Sequence, residues 1–177
     1  MRKVANACNV SQTAPYRHFK NKDELIWSIG NEVMRKFKEC LQQAVDKYPD
    51  DPRSQLKEMG YLYIRFFTEN PEYLRLIFLS DMEKWLKNIW MDPDSCDAMM
   101  KEHPFQIFYE AVERYRKMAE DASKHPLDQN ILVLHCWGLV HGISILIARK
   151  EFNYQGDYLQ LVRKIIWDES FLAEADA

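Results

Sequence analysis

A capping side chain followed at once by proline recurs along this chain, and this pattern constrains the fold more than any other feature of the sequence. Asp51-Pro52 and Asn70-Pro71 each join a residue that accepts hydrogen bonds at a helix N-terminus to one suited to the first helical position. His125-Pro126 marks another helix start. No run of alternating apolar and polar residues predicts a strand. The sequence therefore predicts an all-α protein of eight or nine helices.

The longest predicted helix starts at Asn21 and runs to about Lys47. Asn21 is a favourable N-cap, and Glu24 follows three residues later, where the acid of a capping box belongs. Apolar side chains recur along this helix at near-helical spacing, namely Leu25, Ile29, Val33, Phe37, Leu41 and Val45. We therefore predict one continuous helix over this stretch.

Two shorter helices are predicted before it. The first covers Arg2 to Cys8, and the second is capped by Ser11 and runs to about Phe19. Residues 1–22 contain no acid and carry a formal charge of +5, whereas the whole chain carries −3, so the remainder carries −8. A basic tip on an acidic body suits a protein that touches a polyanion at one end. Helix, tight turn and helix with a basic face is the outline of a helix-turn-helix.

The residues of this tip resemble the helix-turn-helix pattern of the TetR family of bacterial transcription regulators. The match covers about 25 residues and reads R-K-V-A-N-A-C-N-V-S-Q-T-A-P-Y-R-H-F-K-N-K-D-E-L. The family usually has glycine in the turn where this chain has Asn9, and asparagine is the next best residue for a left-handed position. The alternative interpretation of the same residues is a capped three-helix corner that touches nothing.

The resemblance implies a ligand-responsive transcription regulator, usually a repressor, that binds a pseudo-palindromic double-stranded DNA operator as a homodimer in the cytoplasm. It implies no enzyme activity. Residues 1–46 would form the DNA-binding domain with its linking helix, and residues 47–177 the ligand-binding and dimerisation domain.

The side chains of the tip suggest how DNA would be read. Gln12 suits an adenine edge, Arg17 a guanine edge or a phosphate, and Thr13 a thymine methyl group or a backbone oxygen. The resemblance implies phosphate contacts from Tyr16, His18 and Lys22, and a base or phosphate contact from Arg2. The predicted DNA-binding residues are Arg2, Ser11, Gln12, Thr13, Tyr16, Arg17, His18 and Lys22. Pro15 is expected to distort the first turn of the helix slightly without destroying it.

One departure from the family pattern produces an alternative hypothesis. The family places a longer first helix before the segment that begins near Arg2, and in a chain that starts at Met1 this helix is expected to be absent. Several apolar residues would then lack a covering partner, namely Val4, Cys8, Val10, Phe19 and Leu25. The alternative is an N-terminally truncated all-α module that dimerises and binds a ligand but does not bind DNA.

The last two predicted helices are rich in apolar residues and suit a four-helix dimer interface. The predicted interface residues are Leu139, Ile143, Ile147, Leu161, Val162 and Ile165. Trp137 to Gly142 also resembles the Trp-x-x-x-His-Gly signature of one TetR subgroup. Because Ile131 to Ala148 contains no acid, lysine or arginine, a membrane-associated helix is the weaker alternative.

Aromatic residues spread over the central helices predict a pocket for a small, mostly apolar ligand. The candidate lining residues are Tyr63, Phe67, Phe78, Trp85, Phe108, Tyr109 and His135. Most aromatic residues of this kind are ordinary core residues, so this prediction competes with simple packing. No motif or spacing in the sequence predicts a catalytic set, a metal site or a cofactor.

Overall fold

The computed structural model describes residues 1–79, 104–123 and 128–167. These residues form seven α-helices and one short 3-10 helix, and the same ranges contain no strand. The elements are α1 (Arg2–Ala7), the 3-10 helix (Ala14–Arg17), α2 (Lys22–Lys47), α3 (Pro52–Glu69), α4 (Pro71–Phe78), α5 (Pro104–Ser123), α6 (Gln129–Ala148) and α7 (Tyr158–Trp167). The all-α prediction is confirmed. Trp85 and His125-Pro126 lie outside the described residues.

The helix starts follow the capping chemistry predicted from the sequence. Asn21 Oδ1 accepts a hydrogen bond from the Glu24 backbone N–H at 2.8 Å. The Glu24 carboxylate reaches back to the backbone N–H of Lys20, one residue before the cap. Asp51 Oδ1 accepts from the Ser54 N–H at 3.0 Å, with Pro52 in the first helical position. These side chains satisfy N–H groups that have no partner within the helix, and so they fix where α2 and α3 begin.

Helix α3 lies at the centre of the body, where it packs against α2, α5, α6 and α7. Its residues Ile64 and Phe67 are fully buried, as is Leu74 of α4. Val162 of α7 belongs to the same core and is only 1% exposed. This burial leaves little of the Val162 side chain for contact with a second copy, and its place in a dimer interface stays a prediction. The other five predicted interface residues are exposed or half-buried.

The segment after α1 differs from the predicted helix between Ser11 and Phe19. It forms a four-residue 3-10 helix instead, and Ser11 Oγ pairs with Thr13 Oγ1 at 3.2 Å without capping a backbone N–H. Pro15 explains the difference. In an α-helix capped by Ser11, the first backbone bond would come from the N–H of residue 15, which proline lacks. The Ala14 N–H donates to the Ser11 carbonyl at 3.0 Å in its place, which tightens the turn.

Asn9 adopts the left-handed conformation that the sequence predicts, with φ at 54°. The N–H of Asn9 donates to the Asn6 carbonyl, and the N–H of Val10 donates to the Ala5 carbonyl at 3.0 Å. This pair of bonds is the Schellman ending of a helix, which requires one residue with positive φ. Asn9 therefore sets the direction in which the chain leaves α1.

We expect Asn9→Val to lower the free energy of unfolding by about 1–2 kcal/mol, because a β-branched residue is strained at positive φ. Asn9→Gly tests the same backbone angle without the strain and should leave stability within about 0.5 kcal/mol of the parent protein. Urea denaturation of the two variants measures the difference. Equal stability of both variants would contradict the role assigned to this turn.

Candidate nucleic-acid interface

The eight residues predicted to bind DNA are all exposed on the N-terminal tip. They occupy the start of α1, the 3-10 helix with its flanking turns, and the start of α2. Those residues are Arg2, Ser11, Gln12, Thr13, Tyr16, Arg17, His18 and Lys22. We call this set the tip surface. Tyr16 is 55% exposed although it is a large aromatic residue, so its ring is available to a partner.

The positive charge of the tip is not neutralised within the part of the chain that the structure describes. Its cations are Arg2, Lys3, Arg17, Lys20 and Lys22, and no described carboxylate lies within ion-pair distance of any of them. The arginine and lysine side chains of α2 further along the chain behave differently. Arg35, for example, binds Glu32 with a distance of 2.7 Å between Nη2 and Oε1. Five cations without a described carboxylate partner thus lie close together in sequence on the tip, and this grouping is suited to phosphate contacts.

The apolar residues around the tip are only partly covered. Val4 is 42% and Val10 46% exposed, and Cys8 is exposed as well, whereas Phe19 and Leu25 are half-buried. The 3-10 helix and its flanking turns contribute no buried side chain, so within the tip α1 contributes the only one, Ala5. The tip is therefore held mainly by local backbone bonds.

Helix α2 joins the tip to the aromatic core. The Phe37 ring of α2 lies edge-on to the Tyr63 ring of α3, with 5.2 Å between ring centroids. Phe37 also contacts Phe67 at 4.9 Å. Edge-to-face contacts of this kind stabilise a defined ring arrangement in addition to burying apolar area. The middle of the helix that carries the tip is thus fixed against α3.

A buried polar contact extends this cluster to α6. The Tyr63 hydroxyl lies 2.9 Å from His141 Nδ1, and the His141 ring packs against Phe78 with 4.7 Å between centroids. Burial raises the pKa of Tyr63 well above its usual value and lowers the pKa of His141. Both groups are therefore neutral near pH 7, and the pair is a hydrogen bond without charge. The sequence indicated Tyr63 but not its partner, because nothing in the spacing shows that α3 and α6 meet at this point.

The other predicted pocket residues are distributed over several surroundings. Phe67 and Phe78 contact each other at 5.5 Å beside Tyr63, so these three residues do come together. Phe108 and Tyr109 of α5 are half-buried, and Phe105 contacts both of their rings. His135 is exposed on α6 and shares no described ring contact with this group. The common lining of one pocket by the whole set stays a prediction.

The lowered pKa of His141 makes stability depend on pH. The unfolded chain binds a proton at this histidine more readily than the folded protein does, so protonation favours unfolding. The contribution of neutral His141 to the free energy of unfolding is fully present above the ordinary histidine pKa of about 6.5. It is lost as the pH falls through the lower pKa that His141 has in the folded protein. We expect His141→Gln to weaken this dependence in the pH range below about 6.5. Urea denaturation at several pH values measures it.

His135→Gln is the matched control for that experiment, because it removes an exposed histidine from the same helix. Its pH profile should follow that of the parent protein. A profile that flattens equally in both variants would show that the position of His141 has no special effect.

The outward face of α6 is apolar. Ile131 is 68% and Leu134 71% exposed, and Leu139 and Leu146 are exposed on the same helix. A Cβ atom added at Gly138 or Gly142 would meet nothing within 4 Å, so these two glycines open a flat strip along the face.

This helix is long and apolar enough to cross a membrane by length and composition, with a mean hydropathy of 2.1 over its most apolar window. Those two properties are shared by helices that pack against a partner.

Two comparisons bear on this arrangement. Residues 1–29 match the family model described as bacterial regulatory proteins, tetR family. The chain is also similar to the nucleoid occlusion factor SlmA of Vibrio campbellii, with 26% identity over 156 residues that cover 86% of this chain and 74% of the relative. SlmA of Aliivibrio fischeri MJ11 is 24% identical over 160 residues with the same coverage. Neither match identifies the subgroup that has the Trp-x-x-x-His-Gly signature, so membership of that subgroup stays a prediction.

Proposed function

The chain carries the N-terminal DNA-binding segment of the TetR family of bacterial regulatory proteins, and we propose that it regulates transcription by reading an operator with its tip surface. The observation that carries this proposal is the position of the unpaired charge. The family model covers residues 1–29. Within that range, residues 1–22 expose hydrogen-bonding and cationic side chains and contain no carboxylate. A surface of this composition can hold phosphates and reach base edges in a major groove.

Selection of bound duplexes from a random pool tests the proposal. The purified chain is incubated with the pool at physiological salt, and the bound fraction is amplified and sequenced over several rounds. We expect enrichment of an inverted repeat whose half-sites lie about one helical turn apart, since a symmetric dimer presents two tips. A bound pool with the composition of the starting pool would contradict operator recognition and favour the dimerisation and ligand-binding module without DNA-binding competence.

The proposed assembly is a homodimer formed through α6 and α7. The support for it is the outward apolar face of α6 and the flat strip at Gly138 and Gly142, which would permit close approach of a second helix. Leu139 lies on this face, whereas Ile143 and Ile147 pack partly against the core. Static light scattering measures the mass, which should be twice that of the chain and independent of detergent. A monomer that becomes soluble only in detergent would instead support a membrane-associated helix.

We further propose that a small, mostly apolar ligand controls DNA binding, with repression as the unliganded state and the cytoplasm as the site of action. The support is the aromatic cluster in which Tyr63 connects Phe37 of α2 with His141 of α6. A ligand that enters this cluster would bind the two states of α2 with different affinities and so change the affinity for operator. A panel of apolar compounds, screened by thermal shift and then by operator competition, tests the ligand separately from DNA recognition.

The likeness to SlmA favours a second candidate, since it covers 86% of the chain and the relatives are named nucleoid occlusion factors. In this alternative the chain acts while bound at many chromosomal sites and does not control one promoter. Chromatin immunoprecipitation separates the candidates. A regulator is expected at a few promoters, and a nucleoid occlusion factor is expected at sites spread over the chromosome.

A further inference from the structure

A buried glutamine ties the end of α2 to two other helices. Gln55 of α3 is only 1% exposed, although glutamine is usually a surface residue. Its Nε2 donates to the backbone carbonyl of Tyr48, the residue that ends α2, at 3.1 Å. Its Oε1 accepts from Arg114 of α5 twice, at 3.1 Å from Nε and at 2.7 Å from Nη2. The Gln55 side chain thus connects Tyr48, the residue directly after α2, with Arg114 of α5.

A second contact supports the same corner more weakly. Lys47 Nζ lies 3.0 Å from Glu58 Oε1, but the Lys47 side chain is 51% exposed, so solvent screens this ion pair. The Tyr48 carbonyl also accepts from the N–H of Asp51 at 3.4 Å, which closes the turn itself. Of these contacts, the Gln55 bonds are partly buried and link α2 to a helix outside the turn. They therefore add a directional polar contact at the C-terminal end of α2 to the apolar packing that holds its middle against α3.

The length of α2 makes this orientation matter. The helix has 26 residues and so spans about 39 Å, with the tip at the end remote from Gln55. A rotation of about 5° around the Gln55 end would move the tip by about 3 Å, which is as large as a hydrogen bond. If the tip is displaced by that distance, its side chains no longer lie within hydrogen-bond distance of the base edges that they would read.

We propose that Gln55 is the positioning residue that sets the direction in which α2 leaves the body and hence the place of the tip surface. The tie itself is independent of DNA, whereas its consequence for operator binding rests on the proposed function. Gln55 acts through the Tyr48 carbonyl and touches no nucleic acid.

Gln55→Glu tests the tie with little change in shape. A carboxylate still accepts from Arg114, but it cannot donate to the Tyr48 carbonyl. Gln55→Met removes all three bonds without placing a charge in the core and guards against a folding defect peculiar to the buried carboxylate. Gln43→Glu makes the same chemical change at an exposed position of α2 and is the matched control.

The readout is a distance between spin labels on the tip and on the body of one protomer. Cys8 is exposed on the tip, and a second label enters at the exposed position 117 through Lys117→Cys. Cys96→Ser and Cys136→Ser remove two of the other cysteines, and Cys40 lies buried in the core, where burial also raises the pKa of its thiol. Labelled protein is diluted with unlabelled protein, so distances between protomers do not contribute.

We expect Gln55→Glu and Gln55→Met to shift or broaden the Cys8–117 distance by about 3 Å or more while the helical circular dichroism is retained, and Gln43→Glu to leave it unchanged. An unchanged distance in folded Gln55 variants would overturn the proposal, as would an equal change in the Gln43 variant. If neither Gln55 variant folds, the residue is structural and the proposal fails as well. Operator affinity is measured in parallel. If the distance changes and no DNA binding is detectable in any variant, the proposed function fails while the positioning role stands.

Discussion

Arg17→Ala should lower the affinity of the chain for the proposed operator by about 10- to 100-fold, because a bidentate arginine contact to guanine is worth about 1–3 kcal/mol. Arg17 ends the 3-10 helix, is exposed and has no described carboxylate within ion-pair distance. The substitution therefore removes an exposed side chain that makes no described ion pair. Fluorescence anisotropy with the enriched duplex and with a scrambled duplex measures both affinities. The loss should be much larger on the operator.

Two further variants separate base reading from phosphate contact. Lys22→Ala should weaken binding to both duplexes alike and reduce the slope of log affinity against log salt by about 1. Lys117→Ala removes an exposed lysine of α5 from the body and should leave both affinities unchanged. If Arg17→Ala weakened both duplexes equally, Arg17 would hold a phosphate and would not read a base.

Phe67→Ala should lower the free energy of unfolding by about 3–5 kcal/mol, the usual cost of emptying a large aromatic site in a core. Phe67 is fully buried, and its ring contacts the rings of Phe37, Tyr63, Phe66 and Phe78. The cavity would lie where α2, α3 and α4 meet, so collapse around it would require movement of three helices. Urea denaturation followed by circular dichroism measures the loss.

Phe152→Ala is the control for that substitution. Phe152 lies between α6 and α7 and is 48% exposed, so its removal should cost about 1 kcal/mol or less. Similar losses for the two variants would mean that the aromatic cluster is not the centre of stability. A loss in Phe67→Ala of about 1 kcal/mol would contradict the close packing of α2 against α3.

The helix starts could be predicted from the sequence because their chemistry is local. Asn21 and Asp51 bond N–H groups within three residues, so no distant part of the chain is needed to locate the starts of α2 and α3. Ser11 also has a side chain that favours capping, yet it caps no helix, since Pro15 removes the backbone bond that would begin one. The capping preference of Ser11 is thus overridden by a second local effect, the missing N–H of Pro15.

Contacts between helices could not be predicted in the same way. Apolar periodicity does not distinguish the side of α7 that faces the core from the side that faces outward, so it does not show that Val162 is buried within its own chain. The bond between Tyr63 and His141 joins residues 78 positions apart, and the tie from Gln55 to Arg114 joins residues 59 apart. Only the packing of α3 against α5 and α6 brings those partners together. The exposure of the tip surface, by contrast, followed from its composition.

The ratio of affinities for the enriched duplex and for a scrambled duplex of the same length, measured at physiological salt, tests the central claim most directly. A TetR-type tip that reads bases predicts a ratio of about 1,000 or more, because specific binding exceeds non-specific binding by at least that factor. A ratio near 1, with both affinities falling equally as salt rises, would show that the tip only attracts phosphates and would contradict operator recognition.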